Sequence, residues 1–320
     1  MEKSMSSDVT GHRGTAKTGP DTPTETDRID MGMQGKVVVI TGANTGVGLE
    51  TAVGVAAQGA TTVLACRNQE KAEAAAHEVT RRTWNDDVHT VSLDLADLAS
   101  VRKAADEILT RWDRLDVLDN NAGGTWTERQ ETAQGLEYTM GVCHLAHFYL
   151  TGLLTGRLRA SAPSRVITVT SVGHHAAFKG MRFEDLQSEG RYDGMEVYCR
   201  AKLANVLFTR ALARRMAGTG VTANTAHPGW VRSRFGMDGD TTGKSALGFR
   251  AMRPFQISPR TGAMTSVFLA TSPDVATRTG EYWVRSKPGH MGRHAKDDAA
   301  ALRLWDESEQ ILATAGFPLS

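Results

Sequence analysis

Apolar residues in this chain come as short β-branched runs rather than as long stretches. Val37-Val38-Val39-Ile40 is closed by the turn signal Thr41-Gly42, and similar runs recur at 61–66, 88–93, 115–118, 165–170 and 221–226. A short run without polar alternation is what a strand needs when both of its faces are covered. Segments of helical length separate most of these runs, starting with the alanine-rich stretch that ends at Gly59. Strands alternating with helices predict a doubly wound α/β fold around a parallel sheet, a Rossmann-type arrangement. Neither a repeat nor a Pro- or Ser-rich linker divides residues 34–320, so they read as one domain. Residues 1–33 have no Phe, Tyr or Trp and almost no aliphatic side chains, and they read as a disordered tail that buries too little surface to offset ordering entropy.

Composition narrows the function classes. Lys and Arg number 37 against 36 Asp and Glu, a net charge of +1 over 320 residues, so no basic field draws nucleic acid or an anionic membrane surface. No tryptophan lies in a basic stripe that would form a nucleic-acid platform. The 3 cysteines, Cys66, Cys143 and Cys199, are odd in number and lack C-x-x-C spacing, which argues against a disulfide framework or a zinc ribbon and for a reduced, cytoplasmic protein. No apolar run approaches the length of a membrane span, and the N-terminus lacks the apolar core of a signal peptide. A small-molecule substrate is the expected partner.

Directly after the first run stands Thr41-Gly42-Ala43-Asn44-Thr45-Gly46-Val47-Gly48-Leu49-Glu50, followed by a helical pattern. Glycines at this junction permit a tight turn and close approach of a pyrophosphate, whose charge is stabilised by unpaired N–H groups and the helix dipole. The turn offers Gly42, Asn44, Thr45, Gly46, Val47 and Gly48 to a nucleotide. Its spacing is G-x-x-x-G-x-G, and an ordinary strand-to-helix turn is the plainer alternative. The second run ends in Cys66-Arg67, where an NAD enzyme usually carries an acid for the ribose 2′-hydroxyl. Arg67 instead suits a 2′-phosphate and so favours NADP(H), the alternative being an arginine that opens a surface helix. Asp94, followed by Leu95, either borders the adenine or caps the next helix. Asn121, Ala122 and Gly123 lie in a run of small residues that lets backbone pass beneath a flat ligand, although Asn also stabilises turns.

Tyr198 and Lys202 sit four apart in a helical pattern and share a face. An adjacent ammonium favours phenolate and lowers a tyrosine pKa from its usual value of about 10, which suits proton shuttling. Ser171 follows the fifth run, at the carboxyl end where ligands of open α/β sheets bind. Pro228, Gly229, Val231 and Ser233 follow the sixth run and are placed to hold a nicotinamide carboxamide.

In its T-G-x-x-x-G-x-G, N-N-A-G, Ser, Y-x-x-x-K and P-G elements, taken in order, the sequence resembles the short-chain dehydrogenase/reductase family over about residues 35–315. Phe183-Glu184-Asp185-Leu186-Gln187, the stretch 202–209 and Leu304-Trp305-Asp306-Glu307-Ser308-Glu309 resemble its retinol-dehydrogenase-like branch. The resemblance implies that Tyr198 is the general acid/base, that Lys202 lowers its pKa and binds the nicotinamide ribose, and that Ser171 orients the substrate oxygen. It also implies pairing of two copies through the helix of about residues 195–217 and the one before the fifth strand. That helix carries Val197, Ala201, Ala204, Leu207, Phe208, Ala211 and Leu212 over more than one face.

Two residues depart from the family pattern. Cys143 stands where the family places an Asn that supports proton relay, and Asp119 stands where it has an aliphatic residue. His144, His147, His174 and His175 read as packing histidines rather than a metal site, and Cys143 as an inert filler. The expected function is an NADP(H)-dependent oxidoreductase acting on the carbonyl or alcohol of a bulky apolar molecule. The segments around 174–197 and 234–260 select the substrate. Reduction of a carbon–carbon double bond, by resemblance to protochlorophyllide reductase, and a nucleotide-binding scaffold without turnover are the alternatives.

Overall fold

The computed structural model describes residues 32–231 and 256–319. Ser233, most of the tail and most of the 234–260 segment lie outside the described residues. The strands are β1 (Val37–Thr41), β2 (Thr61–Cys66), β3 (Val88–Ser92), β4 (Val117–Asn120), β5 (Ser164–Val169), β6 (Val221–His227), β7 (Tyr282–Val284) and β8 (Lys287–Pro288). They form a sheet of order β3-β2-β1-β4-β5-β6-β7-β8, parallel except for β8, which runs antiparallel to β7. The chain starts in the middle, winds outward through β2 and β3, then returns to wind the other way from β4. Neighbouring β1 and β4 therefore flank the topological switch point, where open α/β sheets bind ligands.

Alternate residues of the strands feed two cores. Val38, Ile40, Leu64 and Ile167 face α1 (Gly46–Ala56), α2 (Gln69–Thr83) and α7 (Pro259–Thr271). Val39, Val63, Leu118 and Val166 face α3 (Leu98–Arg111), α5 (Ala146–Ala160) and α6 (Gly194–Arg215). A short helical turn, α4 (Tyr138–Met140), runs through a π-helical turn at Gly141–Leu145 into α5. All of these strand residues are at most 1% exposed, and burial of each such side chain stabilises the fold by about 1.5–3 kcal/mol.

All six expected strands are present, but β4 lies two residues later than its apolar run, at 117–120 instead of 115–118. The Leu115 amide bonds the Ser161 hydroxyl rather than a strand (2.8 Å), while Asp119 and Asn120 continue the ladder opposite Ile167 and Thr168. Strands β7 and β8 give no sequence signal of their own; β7 is held by its register with Thr225, Ala226 and His227. Met33, read as the end of the tail, is buried, with its amide bonded to Gln58 O at 3.1 Å, and so belongs to the folded domain. No helix among the described residues is long and apolar enough to cross a membrane.

The apolar faces that suggested pairing of two copies are covered from within. Helix α8 (Asp298–Thr314) lies across α5 and α6. The Trp305 ring meets Phe148 edge-on at 4.8 Å and stacks near Phe208 at 5.9 Å, with the Arg215 guanidinium 4.2 Å from its centre. Ser308 bonds His144 (3.0 Å), Phe317 meets Tyr149 (5.9 Å) and Leu319 packs on Gly152. Val197, Ala201, Ala204, Leu207, Phe208, Ala211 and Leu212 are each at most 2% exposed inside this one chain.

Candidate active site

The glycine turn is shaped for close approach of a ligand. Gly42 and Gly46 adopt positive φ (65° and 61°), a region that favours glycine. A Cβ on Gly48 would lie 2.5 Å from Asn121 Nδ2 and 2.7 Å from Gly42 O, so the turn and the N-N-A-G segment touch directly. Asn121 donates through Nδ2 to Thr41 O (2.8 Å), and the amides of Asn121 and Ala122 both donate to Thr41 Oγ1 (2.9 and 3.0 Å). Side chains cap α2, α3, α6, α7 and α8: Asn68, Asp97, Asp193, Ser258 and Asp297 each accept from a first-turn amide. Thr45 makes no such bond at α1, and the first turn of α1 holds no acid. Those amides and the dipole are left for an anion, which fits a nucleotide pyrophosphate.

The end of β2 offers a cation and no acid. Arg67 is exposed, and its Nη1 lies 3.4 Å from Tyr138 Oη. The cap of the next helix is Asn68, not Arg67, so the arginine is outside the helix. Asp94 Oδ1 accepts from the Ala96 amide (2.9 Å), and Asp97 is the cap of α3, so Asp94 shapes the turn rather than capping a helix. Leu95 is buried beside it. Past β6, Gly229 has a φ of 87° and Val231 pairs with Ile257; Pro228 is partly buried.

Ser171, Tyr198 and Lys202 meet where β5 ends against α6. Ser171 is extended and its Oγ accepts from the Gly173 amide (3.1 Å). Its hydroxyl also hydrogen-bonds Tyr198, which pulls the phenol pKa down, but burial outweighs that and holds it above the ordinary value. Lys202 Nζ donates to Val169 O (3.1 Å), Asn205 Nδ2 approaches the same oxygen (3.3 Å), and Thr170 Oγ1 closes on Lys202 O (2.8 Å). Burial lowers the Lys202 pKa. The ammonium stands 5.8 Å from the centre of the Tyr198 ring. In the chain by itself the phenol is thus held protonated by burial, opposite to the lowering that the Tyr–Lys spacing suggests. Gly123 explains itself here: a Cβ would meet Lys202 Nζ at 3.1 Å and Cys143 Sγ at 3.2 Å.

Cys143 lies in the π-helical turn, its Sγ 3.4 Å from Gly124 O and its thiol pKa raised by burial. Its carbonyl takes a hydrogen bond from His147 Nδ1 (3.3 Å), and His147 Nε2 lies 2.9 Å from Thr41 Oγ1. His147 therefore links the π-turn to the threonine that organises the N-N-A-G segment, a role that a helical i,i+3 pair of histidines does not announce. Burial pushes His144 down to about 3 and His147 to about 4, so both stay neutral. No group of three or more His, Cys, Asp or Glu is placed to hold a metal among the described residues. Trp126 and Tyr138, in edge contact at 4.6 Å, also escape the sequence pattern, since they follow the N-N-A-G segment without periodicity. A cavity of about 810 Å³ opens between residues 179–184, α6 and the start of α8, lined by Arg182, Glu196, Leu203, Leu207 and Arg303 among others; Ser171, Tyr198 and Lys202 do not line it.

Comparison with known proteins agrees with this geometry. The family described as short chain dehydrogenase matches residues 36–183. Human retinol dehydrogenase 12 is 44% identical over 285 residues, covering 89% of this chain and 89% of that protein. Human retinol dehydrogenase 13 is 41% identical over 283 residues, covering 87% and 85%. Among solved structures, a protein from Mycobacterium paratuberculosis is 34% identical with a TM-score of 0.70, over 90% of this chain and 96% of that one. The Pseudomonas aeruginosa RhlG/NADP active-site complex is 27% identical with a TM-score of 0.61, over 79% and 95%. The chain belongs to the short-chain dehydrogenase/reductase family, in its retinol-dehydrogenase-like branch, and is an oxidoreductase acting on alcohol or carbonyl groups.

Proposed function

We propose that the protein is an NADP(H)-dependent reductase of the carbonyl group of a bulky, largely apolar molecule, with the reverse oxidation of the alcohol at the same site. The observation that carries the reading is the Ser171–Tyr198 hydrogen bond at the end of β5, with Lys202 one helical turn further along α6. The uncapped start of α1 and the Gly42–Gly48 cradle would hold the pyrophosphate, and Arg67, with no acid beside it on the end of β2, would hold a 2′-phosphate. Asn121, Ala122, Pro228, Gly229 and Val231 border the remainder of the cofactor path, and Ser233 and Leu95 are assigned to it from the sequence. A bound nicotinamide supplies the hydride.

The chain supplies the rest. Ser171 holds the substrate oxygen through its hydroxyl. Tyr198, kept protonated by burial, donates the phenolic hydrogen to that oxygen as it gains charge. Lys202, positioned by Val169 O, supplies a cation near the phenolate that results. The Cys143 carbonyl accepts from His147, so Cys143 replaces only the side chain of the family's Asn in proton relay, while its main chain stays engaged. The names of the relatives make retinaldehyde the first substrate to try. The cysteines are all free and buried, which supports a reduced, cytoplasmic location; fractionation of cells tests it.

Oxidation of NADPH and of NADH is to be followed against panels of aldehydes, ketones and enones, retinaldehyde included. Carbonyl turnover is expected, with NADPH preferred. Tyr198→Phe keeps the ring and deletes the transferable proton, so turnover should fall about 10²–10⁴-fold at nearly unchanged NADPH affinity. Full activity of that variant, or an active enone panel beside a silent carbonyl panel, rejects the reading.

A further inference from the structure

One imidazole joins the catalytic serine to a segment far along the chain. His174, on the short 3-10 turn Val172–Ala176, is 2% exposed. Its Nδ1 lies 2.7 Å from Ser171 O. A carbonyl accepts, so Nδ1 carries the hydrogen. Its Nε2 lies 3.3 Å from the Gly292 amide, which donates, so Nε2 accepts. A single neutral tautomer satisfies both contacts, whereas an imidazolium would set donor against donor at Gly292.

The groups around this ring come from its own turn, from β6 and β7, and from the segment after β8. Tyr282 of β7 meets it edge-on at 4.7 Å and His175 lies at 3.9 Å. His227 of β6 stacks on Tyr282 at 6.2 Å, and His290 stacks on His175 at 6.2 Å. Burial, with His175 and His290 acting in the same direction, pushes His174 down to about 4, so it is neutral near pH 7. The Ser171 carbonyl also receives the His174 main-chain amide at 3.2 Å. The far segment is fastened a second time where His294 Nε2 meets Phe178 O at 3.0 Å.

We infer that His174 is a positioning residue for the reaction: through Nδ1 it sets the peptide of the catalytic serine, and through Nε2 it fastens the 286–297 segment to the same turn. A serine hydroxyl aims where its own peptide allows, and displacement of a reacting group by about 1 Å can cost on the order of 10²-fold in rate. The inference rests on the Ser171–Tyr198–Lys202 reading. It adds that the turnover of those three residues depends on a hydrogen bond to the main chain of Ser171, away from the reacting hydroxyl.

The two halves of the bridge can be tested apart. An Asn amide nitrogen reaches the position of Nδ1, and a Gln carbonyl oxygen reaches that of Nε2. With all-trans-retinaldehyde and decanal as probe aldehydes, His174→Ala should lower kcat by about 10- to 100-fold while KM for NADPH stays within about twofold. His174→Asn should recover most of kcat. His174→Gln should instead restore slow hydrogen exchange at the Gly292 amide, which the Ala and Asn variants lose, without recovering kcat. Both conservative variants keep a side chain of similar size, so the result survives if the Ala variant fails to fold. Unchanged kcat in His174→Ala, or equal losses in the Asn and Gln variants, overturns the inference while Tyr198→Phe remains inactive. Full activity of Tyr198→Phe overturns the catalytic reading, and the assignment of His174 with it.

Discussion

The two sides of the candidate site are built differently. On the side of the glycine turn, the connections from β1 and β2 to their helices are short, and what they offer a ligand is main-chain amides, glycines and one arginine. On the side of Ser171, the segments after β4, β5 and β8 are tied down by side chains: His174 to Gly292, His294 to Phe178, Arg200 to Asp185 O, and Gln187 to the Glu137 amide. A ligand common to a whole family is held by backbone geometry that local sequence dictates. A ligand particular to one member is held by tertiary contacts that substitution can re-wire.

The largest break in this contrast is expected from Gly48→Ala, because the added Cβ meets Asn121 Nδ2 and a main-chain oxygen at 2.5 and 2.7 Å. NADPH affinity measured by fluorescence should fall about 100-fold, the scale of a backbone that must shift by roughly 3 kcal/mol. A comparable effect, on stability alone, is expected at Asp119. This carboxyl is 1% exposed, with the Ser266 hydroxyl of α7 as polar neighbour and neither oxygen in a hydrogen bond of normal geometry. Burial pushes its pKa up to about 8. The folded state then holds a proton that the unfolded state releases near pH 4, so this stabilising contribution is complete below about pH 4 and lost as pH rises through about 8. Between about pH 5.5 and 7.5, urea unfolding should show the parent losing roughly 3 kcal/mol relative to Asp119→Asn. A parent and variant with parallel pH profiles would exclude this assignment.

Trp305→Ala should cost about 2–3 kcal/mol, less than a fully enclosed tryptophan because the ring is partly exposed. By uncovering Phe148 and Phe208 it should also make association concentration-dependent in light scattering. The smallest effect sharpens the comparison. Arg67→Asp should move the ratio of NADPH to NADH affinity by about tenfold to a hundredfold toward NADH, the value of one charge-assisted contact near the surface. Tighter NADH binding by the unmodified protein would remove the role given to Arg67.

The fold is legible because five of the six strands are buried on both faces and announce themselves as apolar runs, and β3, half-buried at the sheet edge, keeps enough of the pattern to be read with them. Strand β4 was misplaced because two polar residues, Asp119 and Asn120, occupy its buried half, and a rule based on apolar runs ends the strand before them. The triplet Tyr282-Trp283-Val284 becomes a strand only through β6. In the site, Ser171, Tyr198 and Lys202 were readable from order and spacing. His147 and His174 were not, since each meets a partner distant in sequence, the Thr41 hydroxyl for His147 and the Gly292 amide for His174. The raised pKa of Tyr198 was missed for a related reason: helical spacing places a cation nearby, but only tertiary packing decides how far the phenol is desolvated.

Helix α8 also has a consequence for the order in which the protein is made. Residues 298–314 leave the ribosome well after α5 and α6 are complete, so these helices wait with Phe148, Phe208 and Leu212 uncovered until their lid arrives. During that interval the nascent chain presents the apolar surface that chaperones recognise. A message truncated before codon 298 would therefore yield not a shortened enzyme but a chain with a permanent adhesive face, and the last turns of the protein decide whether the earlier ones stay soluble.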